Sequence, residues 1–349
     1  MGVQFTEVVV IGAGQAGLSA SYHLRRNGIE HVVLDRNDGP GGAWQHRWPG
    51  LRLESVHGIH PLPGMPLPPS TPGRPAAEAV PEYFGAYEAA FELPVLRPVK
   101  VTAVRPDIDH LAVESSAGVF AARAVINATG TWETPFWPHY PGQHRFRGRQ
   151  LHTADYRDPQ EFSGQHVMVV GGGISAVEHL LEISEVTSVS WVTRRPPEFT
   201  GTEFTAEQGR AAVAEVARRV RDGEPPGSVV SATKIPATPA VRAALERGVL
   251  QRSPMFEQIT EHGVRWPDGR TKRVDVLLWA TGFRPSVAHL APLHLREPGG
   301  GIRVDGTRAV AEPRLHLLGY GPSASTIGAN RASRRAVTEI RKMLEKTAR

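Results

Sequence analysis

Two stretches of this sequence place glycines where a bare backbone is needed, and each is followed by a charged residue, acidic in one case and basic in the other. Gly12-Ala13-Gly14-Gln15-Ala16-Gly17 comes directly after the apolar run 6–11. Gly12 permits a tight turn, Gly14 lets the chain approach a pyrophosphate, and Gly17 lets a helix sit close to a sheet. The helix that opens there offers unpaired N–H groups to phosphates. Asp35, followed by Arg36, closes the next apolar run, 31–34, where a carboxylate accepts hydrogen bonds from adenosine ribose hydroxyls. Gly171-Gly172-Gly173-Ile174-Ser175-Ala176 repeats the arrangement after 166–170, with small Ala176 at the third position. Its following run, 186–192, ends in Thr193-Arg194-Arg195, and arginines there pair with a 2′-phosphate. The first site therefore reads as one for an unphosphorylated adenosine, as in FAD, and the second as one for NADPH over NADH. A flavodoxin-like turn without a dinucleotide is the alternative for the first, and a surface arginine pair for the second.

Other residues bear on the same chemistry. Gly41-Gly42-Ala43-Trp44 follows Asp35 where the rest of a flavin nucleotide would run, an ordinary turn being the alternative. Two buried runs, 123–128 and 274–280, end in Ala-Thr-Gly, at Thr129-Gly130 and Thr281-Gly282, where small residues allow close passage beside a cofactor. Thr326 and Ile327 open a final helix whose N–H groups could meet the flavin pyrimidine. His46, His57 and His60 lie without a carboxylate pattern, so they read as packing or surface residues and not as a metal site. The chain has no cysteine, which excludes dithiol redox chemistry, thiolate metal sites and cysteine nucleophiles. The net charge of +5 is spread over single arginines, which fits phosphorylated cofactors or solvated surface better than nucleic acid. No apolar run is long enough to span a bilayer and no signal peptide is evident, so a soluble cytoplasmic protein without a membrane partner is expected.

The elements that must position these residues form an α/β pattern. A length of 349 residues suggests two domains. Strands are expected at 6–11 and 31–34, and helices at 18–26 and 76–91, the latter with Val80, Phe84, Tyr87 and Phe91 on one face. The proline-dense stretch 61–75 reads as an ordered functional loop. Residues 94–104 read as a short strand pair or bend, 111–114 with 118–121 as a hairpin, and 146–156 as a loop-like linker. Helices are expected at 206–221, 239–247 and 326–346, and a strand at 314–318. Twice the chain runs glycine turn, helices, small sheet, buried strand, Ala-Thr-Gly, so each half looks like one nucleotide-binding unit. The expected plan is two Rossmann-like, three-layer domains: 1–157 for FAD, rejoined by 283–349, and 158–282 for NADPH.

Phe146-x-Gly148-x-x-x-His152-x-x-x-Tyr156, lying between the two glycine turns, resembles the linker fingerprint of the flavin-containing monooxygenase family. Gly41-Gly42-x-Trp44 and the two Ala-Thr-Gly ends match as well. The resemblance covers nearly the whole chain, is nearest to the compact bacterial members, and implies the two-domain plan shared with disulfide reductases. The Baeyer–Villiger branch carries tryptophan followed by proline or aspartate at the last fingerprint position. Tyr156-Arg157 stands here instead, which favours nitrogen or sulfur oxygenation. Relatives often place an asparagine over the flavin in the region of residues 50–60, and none is present, leaving Ser55 or His57 to take its place.

The resemblance implies that NADPH, with NADH as an alternative, reduces FAD, that O2 adds to give a C4a-hydroperoxide, and that an amine or sulfide takes the distal oxygen. In that frame Gly12, Gly14, Gly17, Asp35, Arg36, Gly41, Gly42, Trp44, Thr129, Gly130, Thr326 and Ile327 contact FAD. Gly171, Gly173, Ser175, Ala176, Arg194 and Arg195 contact NADPH, and Thr281 and Gly282 are further cofactor-binding candidates. Ser55, His57, His152 and Tyr156 are the candidate catalytic residues, and a purely structural linker is the alternative for the last two. A homodimer stands open beside the monomer. The rival functions are an NAD(P)H-dependent flavin reductase or oxidase and a non-catalytic FAD- and NAD(P)-binding regulator.

Overall fold

The computed structural model describes residues 2–53, 59–69, 71–200, 206–227 and 234–347. In chain order its first elements are β1 (Val3–Ile11), α1 (Gln15–Arg26), β2 (His31–Leu34), α2 (Ala76–Ala90), β3 (Val95–Leu96), β4 (Val101–Pro106), β5 (Leu111–Ser115) and β6 (Gly118–Asn127). There follow β7 (Arg149–His152), β8 (Val167–Val170), α3 (Ile174–Ser184), β9 (Val189–Thr193), β10 (Phe199–Thr200), α4 (Ala206–Arg221), β11 (Ile235–Pro236), α5 (Pro239–Glu246) and β12 (Arg252–Pro254). The chain ends through β13 (Gln258–Thr260), β14 (Gly263–Arg265), β15 (Thr271–Arg273), β16 (Val276–Trp279), β17 (Val304–Asp305), β18 (Arg308–Ala309), β19 (Leu315–Leu317) and α6 (Thr326–Thr347).

The chain divides into two compact units. One comprises Met1–Glu133, Val213–Val229 and Pro285–Arg349, and the other Thr134–Ala212 and Val230–Arg284. The first crossing thus falls at 133/134 and not at 157. The reason is β7, which pairs in parallel with β16 from Arg149↔Val276 to His152↔Trp279 and so carries the fingerprint segment into the second unit. Its composition alone predicts a loop. A four-residue edge strand of sequence Arg-Gln-Leu-His shows no alternation, because its register is set by β16 and not by its own pattern.

The first unit is built on a nine-stranded sheet with strand order β17-β18-β19-β6-β1-β2-β3, with β5 pairing off this path to β6 and β4 to β5. Its β1 is apolar at consecutive positions because both faces are covered. Val8 and Val10 pack with Leu18 and Leu24 of α1, Phe84 and Tyr87 of α2, and Val337 and Ile340 of α6. Val9 and Ile11 face the opposite layer, with Val104, Leu111, Val113, Leu315 and Leu317. Residues 118–121 and 123–128, expected as a hairpin arm and a separate strand, join in the single strand β6, which ends at Asn127. Its first half lies between β1 and the antiparallel β5, and its second half between β1 and the parallel β19. Residues 94–104 likewise split, with β3 extending the parallel sheet beside β2 and β4 pairing with β5.

In the second unit five parallel strands run in the order β12-β9-β8-β16-β7, with the antiparallel ribbon β13-β14-β15 beside them. Met168, Val170, Val192, Leu277, Trp279 and Phe256 form its core. No helix among the described residues is long and apolar enough to cross a membrane.

His316, on β19, is 2% exposed, and its Nδ1 lies 2.9 Å from Thr307 Oγ1. Burial lowers its pKa from 6.5 to about 4. A depressed histidine pKa means that the unfolded chain takes up the proton first, so stability is full above pH 6.5 and falls as pH drops towards 4. His316→Gln should therefore lose about 2–3 kcal/mol less stability than the parent between pH 7 and 4.5, read as the shift in urea midpoint. Equal losses in both proteins would disprove this.

Candidate active site

The two glycine turns are built alike, and in each unit the backbone itself is the reason for the glycines. Gly12 takes φ +100°, and a Cβ there would stand 2.7 Å from the Ala128 carbonyl oxygen at the end of β6. A Cβ on Gly17 would collide with the Gly12 carbonyl, so both glycines serve the joint between β1, α1 and β6. Gly14 differs. A Cβ there would meet nothing nearer than the Gly42 Cα at 4.0 Å, and no side chain caps the helix it precedes. Gly42 turns back with φ +53°, and a Cβ on it would press to 2.8 Å on Gly14 Cα. Beyond β6, Gly130 turns with φ +62° and has no neighbour within 4 Å of a Cβ. The result is a bare-backbone cradle at an uncapped helix N-terminus, with open space beside Gly14 and Gly130. Gly41 belongs to it only indirectly, since its φ of +120° and the Pro81 ring of α2, 2.6 Å from a Cβ, account for the glycine.

At the rim of the cradle, Asp35 follows β2 and is 3% exposed. Its Oδ1 accepts from Asn37 Nδ2 at 3.2 Å, while Oδ2 is buried without a hydrogen bond. Burial raises its pKa, and Arg97, whose Nε is 3.4 Å from Oδ2, opposes that rise. An orphaned carboxylate oxygen suits a ribose hydroxyl. Arg36 instead forms an ion pair with Glu133 at 2.5 Å. Trp44 lies in the short 3-10 turn Gly42–His46, with the Arg47 guanidinium 5.7 Å from its ring and 4.6 Å from that of Trp132. Thr129 donates to the Ser286 carbonyl at 2.6 Å and accepts from Asn127 Nδ2 at 3.1 Å. Asn127 Oδ1 therefore accepts from His289 Nε2 at 2.7 Å, and burial keeps that ring neutral, with a pKa of about 4. Sequence reading missed Asn127, His289 and Arg97. The only local sign was a polar residue, Asn127, closing an apolar strand. Thr326 and Ile327 start α6, where Ser325 Oγ accepts from Gly328 N at 3.1 Å. Ser55 and His57 lie outside the described residues.

In the second unit Gly171 takes φ +146°, and a Cβ there would collide with the Ala280 carbonyl, just as at Gly12. Gly173 precedes α3, which no side chain caps, and a Cβ on it would meet nothing within 4 Å. Ser175 is half-buried in the first turn of α3 and Ala176 fully buried beneath it. Thr193 Oγ1 donates to the Arg195 carbonyl at 2.6 Å, shaping the turn that presents Arg194 and Arg195 to solvent. On the neighbouring β12, Arg252 reaches the Thr193 carbonyl at 3.5 Å. The second Ala-Thr-Gly turn is held by Thr281 Oγ1, 2.5 Å from the Phe136 carbonyl.

The fingerprint histidine takes part in that turn. His152 is fully buried. Its Nδ1 accepts from Ala154 N at 3.1 Å, so its Nε2 donates to the Gly282 carbonyl at 3.0 Å. Burial lowers its pKa, partly offset by the Gly282 bond. Tyr156 is also fully buried, donates to Glu182 Oε2 at 2.8 Å, and stacks on Phe162. The two fingerprint residues are thus not brought to one point: His152 fastens a loop, and Tyr156 anchors α3.

Gly14→Ala adds a methyl where the protein leaves room, so the variant should keep parental thermal stability in flavin-free form yet hold flavin at least tenfold more weakly. Gly17→Ala should instead be destabilised by about 1–3 kcal/mol or more, the usual scale for overpacking. Melting curves and flavin titration separate the two cases. Parental flavin affinity in Gly14→Ala would show that the cradle holds no ligand there.

Residues 9–207 match the family described as pyridine nucleotide-disulphide oxidoreductase. The structure resembles that of the flavin-containing monooxygenase from Stenotrophomonas maltophilia, with TM-score 0.85 and 39% identity, covering 98% of this chain and 99% of that one. The indole-3-pyruvate monooxygenase YUCCA1 of Oryza sativa subsp. japonica is 26% identical over 338 residues, 87% of this chain and 82% of the rice protein. In fold the chain also resembles OTEMO in complex with FAD and NADP, with TM-score 0.70 and 16% identity, covering 98% of this chain and 86% of that one. The family match and the flavin-containing relative set aside the non-catalytic reading: the protein is a flavin-dependent oxidoreductase. Cysteine-free, and similar over nearly its whole length to a monooxygenase, the chain belongs to the flavin-containing monooxygenases within the pyridine nucleotide-disulphide oxidoreductase family.

Proposed function

We propose that the protein transfers one oxygen atom of O2 to a soft nucleophile, an amine or sulfide, through a C4a-hydroperoxyflavin, with FAD in the first unit and NADPH in the second. The observation that carries this reading is the contrast between the two cradles. One leads to a buried carboxylate with an orphaned oxygen, suited to ribose hydroxyls. The other leads to two exposed arginines, suited to a phosphate. Bound flavin supplies the oxygen-activating chemistry. The chain's own part is to hold phosphates on uncapped helix ends, to accept from ribose through Asp35, and to fix the two Ala-Thr-Gly turns through Thr129 and through His152 with Thr281. Tyr156-Arg157 at the end of the fingerprint favours the soft nucleophile over a ketone.

Substrate class is tested by incubating the holoenzyme with NADPH, O2 and, in separate arms, a thioether, a tertiary amine, a cyclic ketone and indole-3-pyruvate. Sulfoxide or N-oxide should form in step with NADPH consumption. Lactone or decarboxylated product alone would move the assignment to another oxygenation, and hydrogen peroxide alone in every arm would make the protein a flavin oxidase. For the donor, Arg194→Ala with Arg195→Ala should raise KM for NADPH about tenfold or more, given ~1.5–3 kcal/mol per hydrogen bond to a charged group. KM for NADH should barely change. Equal effects on both donors would defeat the 2′-phosphate assignment.

A further inference from the structure

Beside Asp35 the first unit holds a buried ionic triad that the cradle itself does not require. Arg97 follows β3 directly, and its terminal nitrogens form a two-pronged pair with Glu88 of α2 at 2.6 and 2.8 Å. The guanidinium edge is turned the other way, with Nε 3.4 Å from Asp35 Oδ2. The side chains are 14%, 13% and 4% exposed for Arg97, Glu88 and Asp35, so water does not screen them well. The backbone binds the same groups together. Asp35 N donates to the Leu96 carbonyl at 3.0 Å, and Val99 N donates to the Asp35 carbonyl at 2.7 Å. Arg97 is thus locked from behind by Glu88 and held beside Asp35 by its own main chain.

We propose that Arg97 is a positioning residue for the adenosine half of the flavin nucleotide: clamped by Glu88, it holds the Asp35 carboxylate ionised and oriented to accept from both ribose hydroxyls. The inference rests on the FAD assignment above and deepens it. A protonated carboxyl has one acceptor fewer for a diol that donates twice, and burial without a counter-charge favours that form. Arg97 supplies the counter-charge with its Nε 3.4 Å from Oδ2, which makes no well-formed hydrogen bond, while the Asn37 side chain and the Asn37 and Ala13 backbone N–H groups hold the carboxylate as well. The two atoms face each other at ion-pair distance while Oδ2 keeps lone pairs for a ligand. A lysine could not do this, because one guanidinium is needed to grip Glu88 with two nitrogens and present a third to Asp35. The triad carries two carboxylates and one cation. Its excess negative charge also disfavours a 2′-phosphate at this ribose, in keeping with an unphosphorylated adenosine.

The test is flavin binding to the full-length apoprotein, measured by fluorescence quenching with FAD and with FMN, which lacks the adenosine. Arg97→Met should weaken FAD at least tenfold and leave FMN unchanged. Glu88→Gln, which frees the clamp, should weaken FAD less and again spare FMN. Asp35→Asn should weaken FAD, and adding Arg97→Met to it should cost nothing further, because the arginine acts through the aspartate. Parental FAD affinity in Arg97→Met, equal weakening of FAD and FMN, or losses that multiply in the double variant would each overturn the proposal. If Arg97→Met does not fold, Glu88→Gln decides by the same FAD-to-FMN comparison. A parent that binds no FAD would overturn this inference together with the flavin assignment. A parent that binds FAD but oxygenates no soft nucleophile would leave it standing and remove only the proposed reaction.

Discussion

The nearness of three backbone segments at the end of β1 is the constraint from which the first unit follows. Gly12, the start of α1 and the end of β6 at Ala128 approach to distances that no side chain tolerates. Because the segments touch through main-chain atoms, the strand-to-helix turn cannot drift, and α1 must point its N-terminus at one spot. Hydrophobic burial on both faces of β1 then secures the sheet behind that spot. The second unit repeats the solution with Gly171 against Ala280. In the proposed assignment, ligand specificity enters only afterwards, through the residue that follows each neighbouring strand.

Residues of the same type in the same motif have different reasons to be there. Gly12 and Gly17 are fixed by protein contacts and would be glycine with or without a cofactor, whereas Gly14 and Gly173 border space that the protein leaves unfilled. Gly41 answers to Pro81 on α2. The fingerprint behaves likewise. His152 and Tyr156 sit four residues apart in sequence, yet one bonds the Gly282 turn and the other Glu182 of α3. A motif read as one functional unit is two separate structural fastenings, both within the second unit.

What could be read from the sequence was whatever rests on local spacing. The glycine turns, their flanking strands and the Asp35 and Arg194-Arg195 rims are each encoded within about thirty residues, so pattern alone placed them. The misreadings were of long-range origin. β7 is a strand only because β16 lies beside it, and β6 is continuous only because β1, β5 and β19 share it. Arg97 gave no signal, since its significance lies in contacts with Glu88 on a helix and with Asp35 just after a different strand. Buried polar networks are assembled by topology, and spacing along one segment does not announce them.

The last helix has a consequence for how the molecule is made. Gln15 Nε2, at the first turn of α1, donates to Asn330 Oδ1 of α6, 315 residues further along the chain, and Ser333 Oγ donates to the Ala16 carbonyl. β19, which completes the strand neighbours of β6, also comes late. While the polypeptide is still emerging from the ribosome, the residues that begin the nucleotide cradle therefore exist long before those that brace it.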